Sequence, residues 1–232
     1  MMRSGFWAIC LLLALAACTS ASPSGVVHQP ANVGDAKIAA LNYKTSGQYD
    51  RDLATVAAQA QSWLARRAHD VPRPALVLDI DETALSNWPV IQRDDFGRPI
   101  GGPCDLAANG PCGWAAWDQL GVDEAIAPTL ALYRSAIARQ VRVFFITGRP
   151  ENQRAATERN LINAGYGGHS KLYMVPDGAH FASAADFKTP VRVEIEREGY
   201  TIVANVGDQP SDLAGGHADK DFLLPNPFYR VP

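Results

Sequence analysis

Residues 73–89 read "RPALVLDIDETALSNWP": a short run that is apolar throughout, then Asp79 and Asp81 one residue apart, with Glu82 next. A brief continuous apolar run bounded by prolines and polar turn residues suits a strand covered on both faces, as in a parallel sheet. Carboxylates this close repel one another, and a carboxylate beside low-dielectric protein is costly unless something compensates it. Either the loop points into water, or its tip holds a cation and has chemistry to perform.

Working outward, the same kind of run returns. "VRVFFIT" (141–147), "KLYMV" (171–175), "TIVANV" (201–206) and "DFLLP" near the end are strand candidates. Between them lie helical patterns. "DRDLATVAAQAQSWLARRA" (50–68) places apolar residues at 53, 56, 57, 60, 63 and 64, with an acidic start and a basic end that suit the helix dipole. Further helices are expected over 124–140, over 151–164 closed by Gly165, and over 190–198. Apolar strands alternating with helices indicate an α/β fold with a parallel sheet and helices on both faces. Residues 85–123 interrupt the rhythm with Trp88, Trp114, Trp117, two cysteines and many glycines and prolines. They read as an insertion over the end of the sheet.

In parallel α/β sheets, ligands bind outside the carboxyl ends of the strands. The first strand ends in Asp79-Ile80-Asp81, the second in Thr147-Gly148-Arg149, and "TIVANV" ends in Gly207-Asp208, with Asp212 four residues on. Taken singly, each has a plain explanation as a turn residue, a cap or a solvated charge. Together, four carboxylates converging on one cleft require positive charge, and an oxygen-only ligand set suits Mg²⁺ with water and a substrate phosphate.

The whole chain bounds the alternatives. At 232 residues and 47% hydrophobic composition it holds one full-sized core, and a formal charge of −3 offers no basic stripe for a nucleic acid polymer. The five histidines, at 28, 69, 169, 180 and 217, show no metal-ligand spacing, no phosphate-binding P-loop motif is present, and "GYGGH" (165–169) is a helix terminator. Met1-Met2-Arg3 followed by the apolar run Phe6 to Leu15 is a secretory signal, to be set aside in fold reasoning. Leu15-Ala16-Ala17-Cys18 resembles a bacterial lipobox, which implies a signal peptide over 1–17 and a lipid anchor on Cys18. Thr19 after the cysteine points to the outer membrane, and residues 18–34, rich in Ser, Pro, Ala and Gly, read as a flexible tether. An exported chain leaves Cys104 and Cys112 in an oxidising compartment, which favours a disulfide. Closing that loop would stabilise by about 2–3 kcal/mol in the chain-entropy account.

"LDIDET", "FFITGR", "FKTPVR" and "GDQPSD" resemble the four motifs of the haloacid dehalogenase superfamily, and more narrowly its secreted acid phosphatases with four catalytic aspartates. The likeness runs from about Asn32 to Tyr229 and includes "YKTSGQYDRD" and "NLINAGY". It implies a Rossmann-like (haloacid dehalogenase-like) domain over 35–232 with a small cap insertion at about 85–123, and a Mg²⁺-dependent phosphatase of small phosphomonoesters, 5′-nucleotides among them. By the same resemblance Asp79 is the nucleophile that forms an aspartyl-phosphate, and Asp81 the acid and base, its carbonyl also ligating Mg²⁺. Thr147, Gly148, Arg149 and Lys188 contact the phosphate, and Asp79, Asp208 and Asp212 hold the metal. Thr83 is expected to shape the turn by local hydrogen bonding and Glu82 to cap the following helix. Pro210 departs from the bulky residue common in relatives and puts the detail of the metal loop in doubt. Trp88, Trp114 and Trp117 could stack an aromatic leaving group or form a satellite core, with Trp88 the candidate for substrate contact. A non-catalytic surface lipoprotein on the same scaffold is the rival reading; the intact motif set opposes it. A phosphoacceptor signalling domain is disfavoured by the export signal. A homo-oligomer stays open.

Overall fold

The structure, a computed structural model, describes residues 30–232. The signal segment, Cys18 and the tether as far as residue 29 lie outside the described residues. Residues Val33–Pro232 form one compact unit. Among the described residues no helix is long and apolar enough to cross a membrane.

In chain order the unit opens with α1 (Val33–Thr45), α2 (Gln48–Arg67) and β1 (Pro74–Leu78). An excursion follows through β2 (Leu85–Ser86), α3 (Trp88–Arg93), α4 (Trp114–Leu120) and β3 (Glu124–Ala125). The main rhythm resumes with α5 (Ala127–Ala138), β4 (Arg142–Pro150), α6 (Arg154–Leu161) and β5 (Lys171–Val175). It closes with α7 (Ala184–Arg197), β6 (Thr201–Gly207), α8 (Pro210–Leu213) and β7 (Asp221–Leu223).

The main sheet has the order β5-β4-β1-β6-β7, with every neighbouring pair parallel and β1 at its centre. Leu76 and Leu78 of β1 enter a large core with Leu53, Ala60 and Leu64 of α2 and Leu132 of α5. Ala75 and Val77 enter a second core with Val191 and Ile195 of α7. Both strand faces are therefore dry, which is why the strand reads as unbroken apolar sequence rather than alternating. On α2 the buried Leu53, Ala57, Ala60 and Leu64 fall on one stripe at helical spacing.

The insertion leaves the tip of β1 and returns through the antiparallel pair β2–β3, in the register Leu85 opposite Ala125 and Ser86 opposite Glu124. Its buried Val90, Ile91, Trp114 and Trp117 join the larger core, so the insertion extends that core. Cys104 and Cys112 form a disulfide within it.

Several boundaries differ from the sequence expectations, among them the helix expected over 151–164, whose α-helical part is confined to Arg154–Leu161. The helix expected over 124–140 starts at Ala127, because Glu124 and Ala125 pair with β2 and Pro128 sits in the first turn, where its missing N–H is no loss. The helix expected from 190 starts six residues earlier, because Ser183 and Asp186 form a reciprocal capping box ahead of Pro190. Helix α1 begins inside the stretch assigned to the tether. Its apolar residues are scattered around the helix, with only Ala40 buried, so no periodic pattern announces it.

Candidate active site

Asp79 continues β1 by donating its N–H to the Val206 carbonyl at 3.0 Å. The chain then turns sharply: the Ile80 carbonyl accepts the N–H groups of Ala84 and Leu85, both at 2.8 Å, and Glu82 takes a left-handed φ of 53°. Alternation along an extended backbone sends neighbouring-but-one carboxylates into different company only when a turn intervenes, and here it does. Asp79 accepts from Lys188 Nζ at 2.5 Å, whereas Asp81 accepts from Arg149 Nη2 at 2.6 Å and from Asn87 Nδ2 at 2.9 Å.

Around Asp79 stand Asp208 and Asp212, all three buried, with one carboxylate oxygen from each lying within 4.8 Å of the others. β6 delivers Asp208 and α8 delivers Asp212, whose Oδ2 accepts the Gln209 N–H at 2.8 Å. Gly207 makes room for this: a Cβ there would lie 2.4 Å from the Asp212 Cβ. Lys188, from the second turn of α7, bridges Asp79 and Asp212 at 2.5 and 2.7 Å. Burial pushes Asp79 up to about 7 against the pull of Lys188, with the charges of Asp212 and Asp81 adding to the rise. Burial likewise drives Asp208 well above the ordinary carboxylate range, with the Asp79 and Asp212 charges adding to it. One ammonium cannot neutralise three ionised carboxylates. This buried, all-oxygen, net-negative cluster fits a hard divalent cation, which would return Asp79 to its ionised form.

Arg149 organises the opposite side. The ladder between β4 and β5 slips between Ile146 and Pro150, a local irregularity that frees Thr147, Gly148 and Arg149 from regular pairing. The buried guanidinium reaches Asp81, Asp123 and Asp118 at 2.6, 3.2 and 3.4 Å, and its Nη1 has no hydrogen-bond partner. Burial alone would raise Asp81, but the Arg149 charge and hydrogen bonds outweigh it and hold its carboxyl below the usual range. Burial raises Asp118 to about 7 and Asp123 to about 6 despite the same arginine. Thr147 is fully buried, and its Oγ1 accepts the Arg149 N–H at 3.1 Å.

The structure thus brings Asp79, Asp81, Gly148, Arg149, Lys188, Asp208 and Asp212 to one cavity of about 260 Å³, whereas Thr147, fully buried, does not line it. Trp88 is corrected: it does not line that cavity but packs on Phe96 and Phe228, with ring centroids 6.1 and 5.2 Å away. Trp114 lines it instead, and Trp117 donates its indole N–H to Asn87 Oδ1 at 3.0 Å, steadying a partner of Asp81. Arg149 lines the cavity while tied to three carboxylates. Glu82 lies deeper than a surface cap would, fully buried, accepting from Tyr49 Oη at 3.0 Å and from the amide of Asn87 just ahead of α3. Thr83 reaches across to Asp208 Oδ1 at 3.4 Å rather than bonding locally. Pro210 opens α8 as its first residue, a position that demands no N–H, so it disturbs nothing.

Sequence reading missed Asn87, Asp118, Asp123, Gln209 and Asn226. Gln209 and Asn226 each donate to Asp208 Oδ2 at 2.6 Å. Asn226 follows the last strand and Asp118 sits in the insertion, so only the folded chain places them at the site.

Known proteins support the same frame. Residues 11–232 match the family described as the haloacid dehalogenase (HAD) superfamily, subfamily IIIB (acid phosphatase). A stem 28 kDa glycoprotein of Glycine max is 33% identical over 196 residues, covering 83% of this chain and 74% of that protein. Acid phosphatase 1 of Solanum lycopersicum is 33% identical over 163 residues, covering 70% of this chain and 61% of that one. Among solved structures, the class C acid phosphatase from Bacillus anthracis shares the fold with a TM-score of 0.66 at 22% identity, over 84% of this chain and 85% of that one. The cluster at the strand tips and the match across nearly the whole chain agree: the protein belongs to the acid phosphatase subfamily IIIB of the haloacid dehalogenase superfamily.

Proposed function

We propose that the protein is a Mg²⁺-dependent phosphomonoesterase acting on small phosphate esters through a phosphorylated Asp79. The observation that carries this reading is the buried contact of Asp79 with Lys188 beside Asp208 and Asp212. Asp79, Asp208 and Asp212 would hold the cation, with the Asp81 carbonyl. Once bound, it would offset negative charge on Asp79 and the phosphoryl oxygens.

In the first step an Asp79 oxygen attacks phosphorus, the bond from phosphorus to the ester oxygen breaks, and Asp81 gives its proton to the departing alkoxide. In the second, water attacks the phosphorus of the acyl phosphate, passes a proton to Asp81, and phosphate leaves as Asp79 is restored. Lys188 reduces the repulsion between an anionic nucleophile and an anionic ester. Nothing within 4 Å crowds the open face of Gly148 and Arg149 Nη1 retains unused donors for a phosphoryl oxygen, while the fully buried Thr147 accepts the Arg149 N–H and would support that strand tip from beneath the cavity lining. The Arg149 pairing favours the ionised Asp81 needed for the second step. Protonation for the first is favoured at acid pH.

We assign the site to the outside of the cytoplasm, with the lipid on Cys18 as the anchor. The signal-like start and relatives named as glycoproteins support the exported setting. The test is p-nitrophenyl phosphate hydrolysis by residues 19–232. Activity should depend on Mg²⁺, vanish with EDTA and fall at least about a thousandfold in Asp79→Asn. Undiminished turnover by Asp79→Asn would overturn the assignment.

A further inference from the structure

Three cationic side chains line the catalytic cavity: Lys188, Arg149 and Arg98. The first two are paired to buried carboxylates, Lys188 to Asp79 and Asp212, Arg149 to Asp81, Asp118 and Asp123. Arg98 is exposed and forms no ion pair among the described residues. Its guanidinium carbon instead lies 4.9 Å from the Trp114 ring centroid and 5.3 Å from that of Tyr229. Those two rings meet edge to face at 5.2 Å, so the cation rests on a two-walled aromatic corner. Aromatic faces hold a guanidinium while leaving its N–H edge open to a ligand.

The local backbone keeps this arrangement in place. The Trp114 N–H donates to the Pro99 carbonyl at 2.7 Å and the Ala115 N–H to the Ile100 carbonyl at 3.1 Å, tying residues 99–100 to the start of α4. The disulfide closes the intervening loop, and Gly113 is needed there because a Cβ would lie 2.2 Å from the Gly102 carbonyl oxygen. A cation fixed in advance loses little freedom on binding.

Its position relative to the chemistry indicates its partner. The alcohol must depart toward Asp81, which protonates it. Asp81 lines the cavity together with Asp118, Trp114 and Arg98 of the insertion, and the Arg98 charge acts to lower the carboxyls of both Asp81 and Asp118, so it lies on the side toward which the alcohol leaves. We propose that Arg98 is a specificity-determining residue that binds an anionic group carried by the leaving alcohol, so that the enzyme prefers phosphomonoesters whose alcohol bears a carboxylate or second phosphate. The proposal rests on the phosphatase reading and names the substrate class for that site.

Two esters of matched shape separate the possibilities: 4-carboxyphenyl phosphate and 4-carbamoylphenyl phosphate, compared at pH 6 in kcat/KM with Mg²⁺. The wild-type protein should favour the carboxylate. In Arg98→Gln the preference ratio should fall roughly tenfold, through KM, as loss of a charge-assisted hydrogen bond does. Arg98→Lys should retain part of it, and thermal melting of both variants checks that the exposed position leaves the fold intact. A ratio unmoved by Arg98→Gln, including equal loss on both esters, overturns the proposal while leaving the phosphatase reading standing. Failure of the wild-type protein to hydrolyse either ester removes both.

Discussion

Asp79 and Asp81 are separated by a single residue, yet one sits with Lys188 and the metal-fitting cluster while the other sits with Arg149 and Asn87. In the proposed mechanism the same residue type would serve as nucleophile in one setting and proton carrier in the other because the partners differ, not the side chain. Gly207 shows how little space this tolerates. Replacing it with alanine would press a methyl group against Asp212, whose two oxygens already hold Lys188 and the Gln209 amide. Gly207→Ala is expected to raise the Mg²⁺ concentration for half-maximal activity roughly 10- to 100-fold, in the range seen for disturbed supporting contacts at metal sites. A magnesium titration of the variant measures it, and an unchanged midpoint would mean that Asp212 does not support the metal. The tip aspartates were legible because strand ends in parallel sheets are where ligands collect. Asn87 and Asp123 were not, because their roles depend on side-chain orientation across a turn and an insertion.

At the scale of elements, α7 matters most. It carries Lys188 inward and packs Val191 and Ile195 on the second core face of the sheet. Sequence reading placed its start at Pro190, a residue that usually opens helices, and so left Lys188 outside it. The signal for the true start was Ser183 followed three residues later by Asp186. Removing that cap with Ser183→Ala should cost about 1 kcal/mol, lowering Tm by roughly 2–4 °C in a domain of this size. Thermal melting decides it; an unchanged Tm would show that tertiary packing alone holds the first turn. Helix α5 illustrates the converse, since a local pattern favouring helix at Glu124 and Ala125 yields to strand pairing with Leu85 and Ser86.

For the whole molecule, the buried acids set the pH response. Burial raises Glu82 to about 7, Asp118 to about 7 and Asp123 to about 6, each above its unfolded value. Groups raised on folding stabilise the native state most when protonated. Their contribution is complete below about pH 4 and is lost as pH climbs through 6 to 7. Metal-free protein should therefore melt at a lower temperature at pH 8 than at pH 5. Glu82→Gln should flatten that slope, and an equal slope in the variant would assign the effect elsewhere. By itself the sequence determined the α/β alternation, the apolar strands with their polar tips and the cysteine pair, because these follow from local periodicity and residue chemistry. Only the tertiary structure decided that Trp114 and Arg98 face the cavity while Trp88 does not, and that Arg149 gathers Asp118 and Asp123. Those contacts join segments far apart in the chain, and the direction of a side chain in an irregular insertion is set by what packs against it.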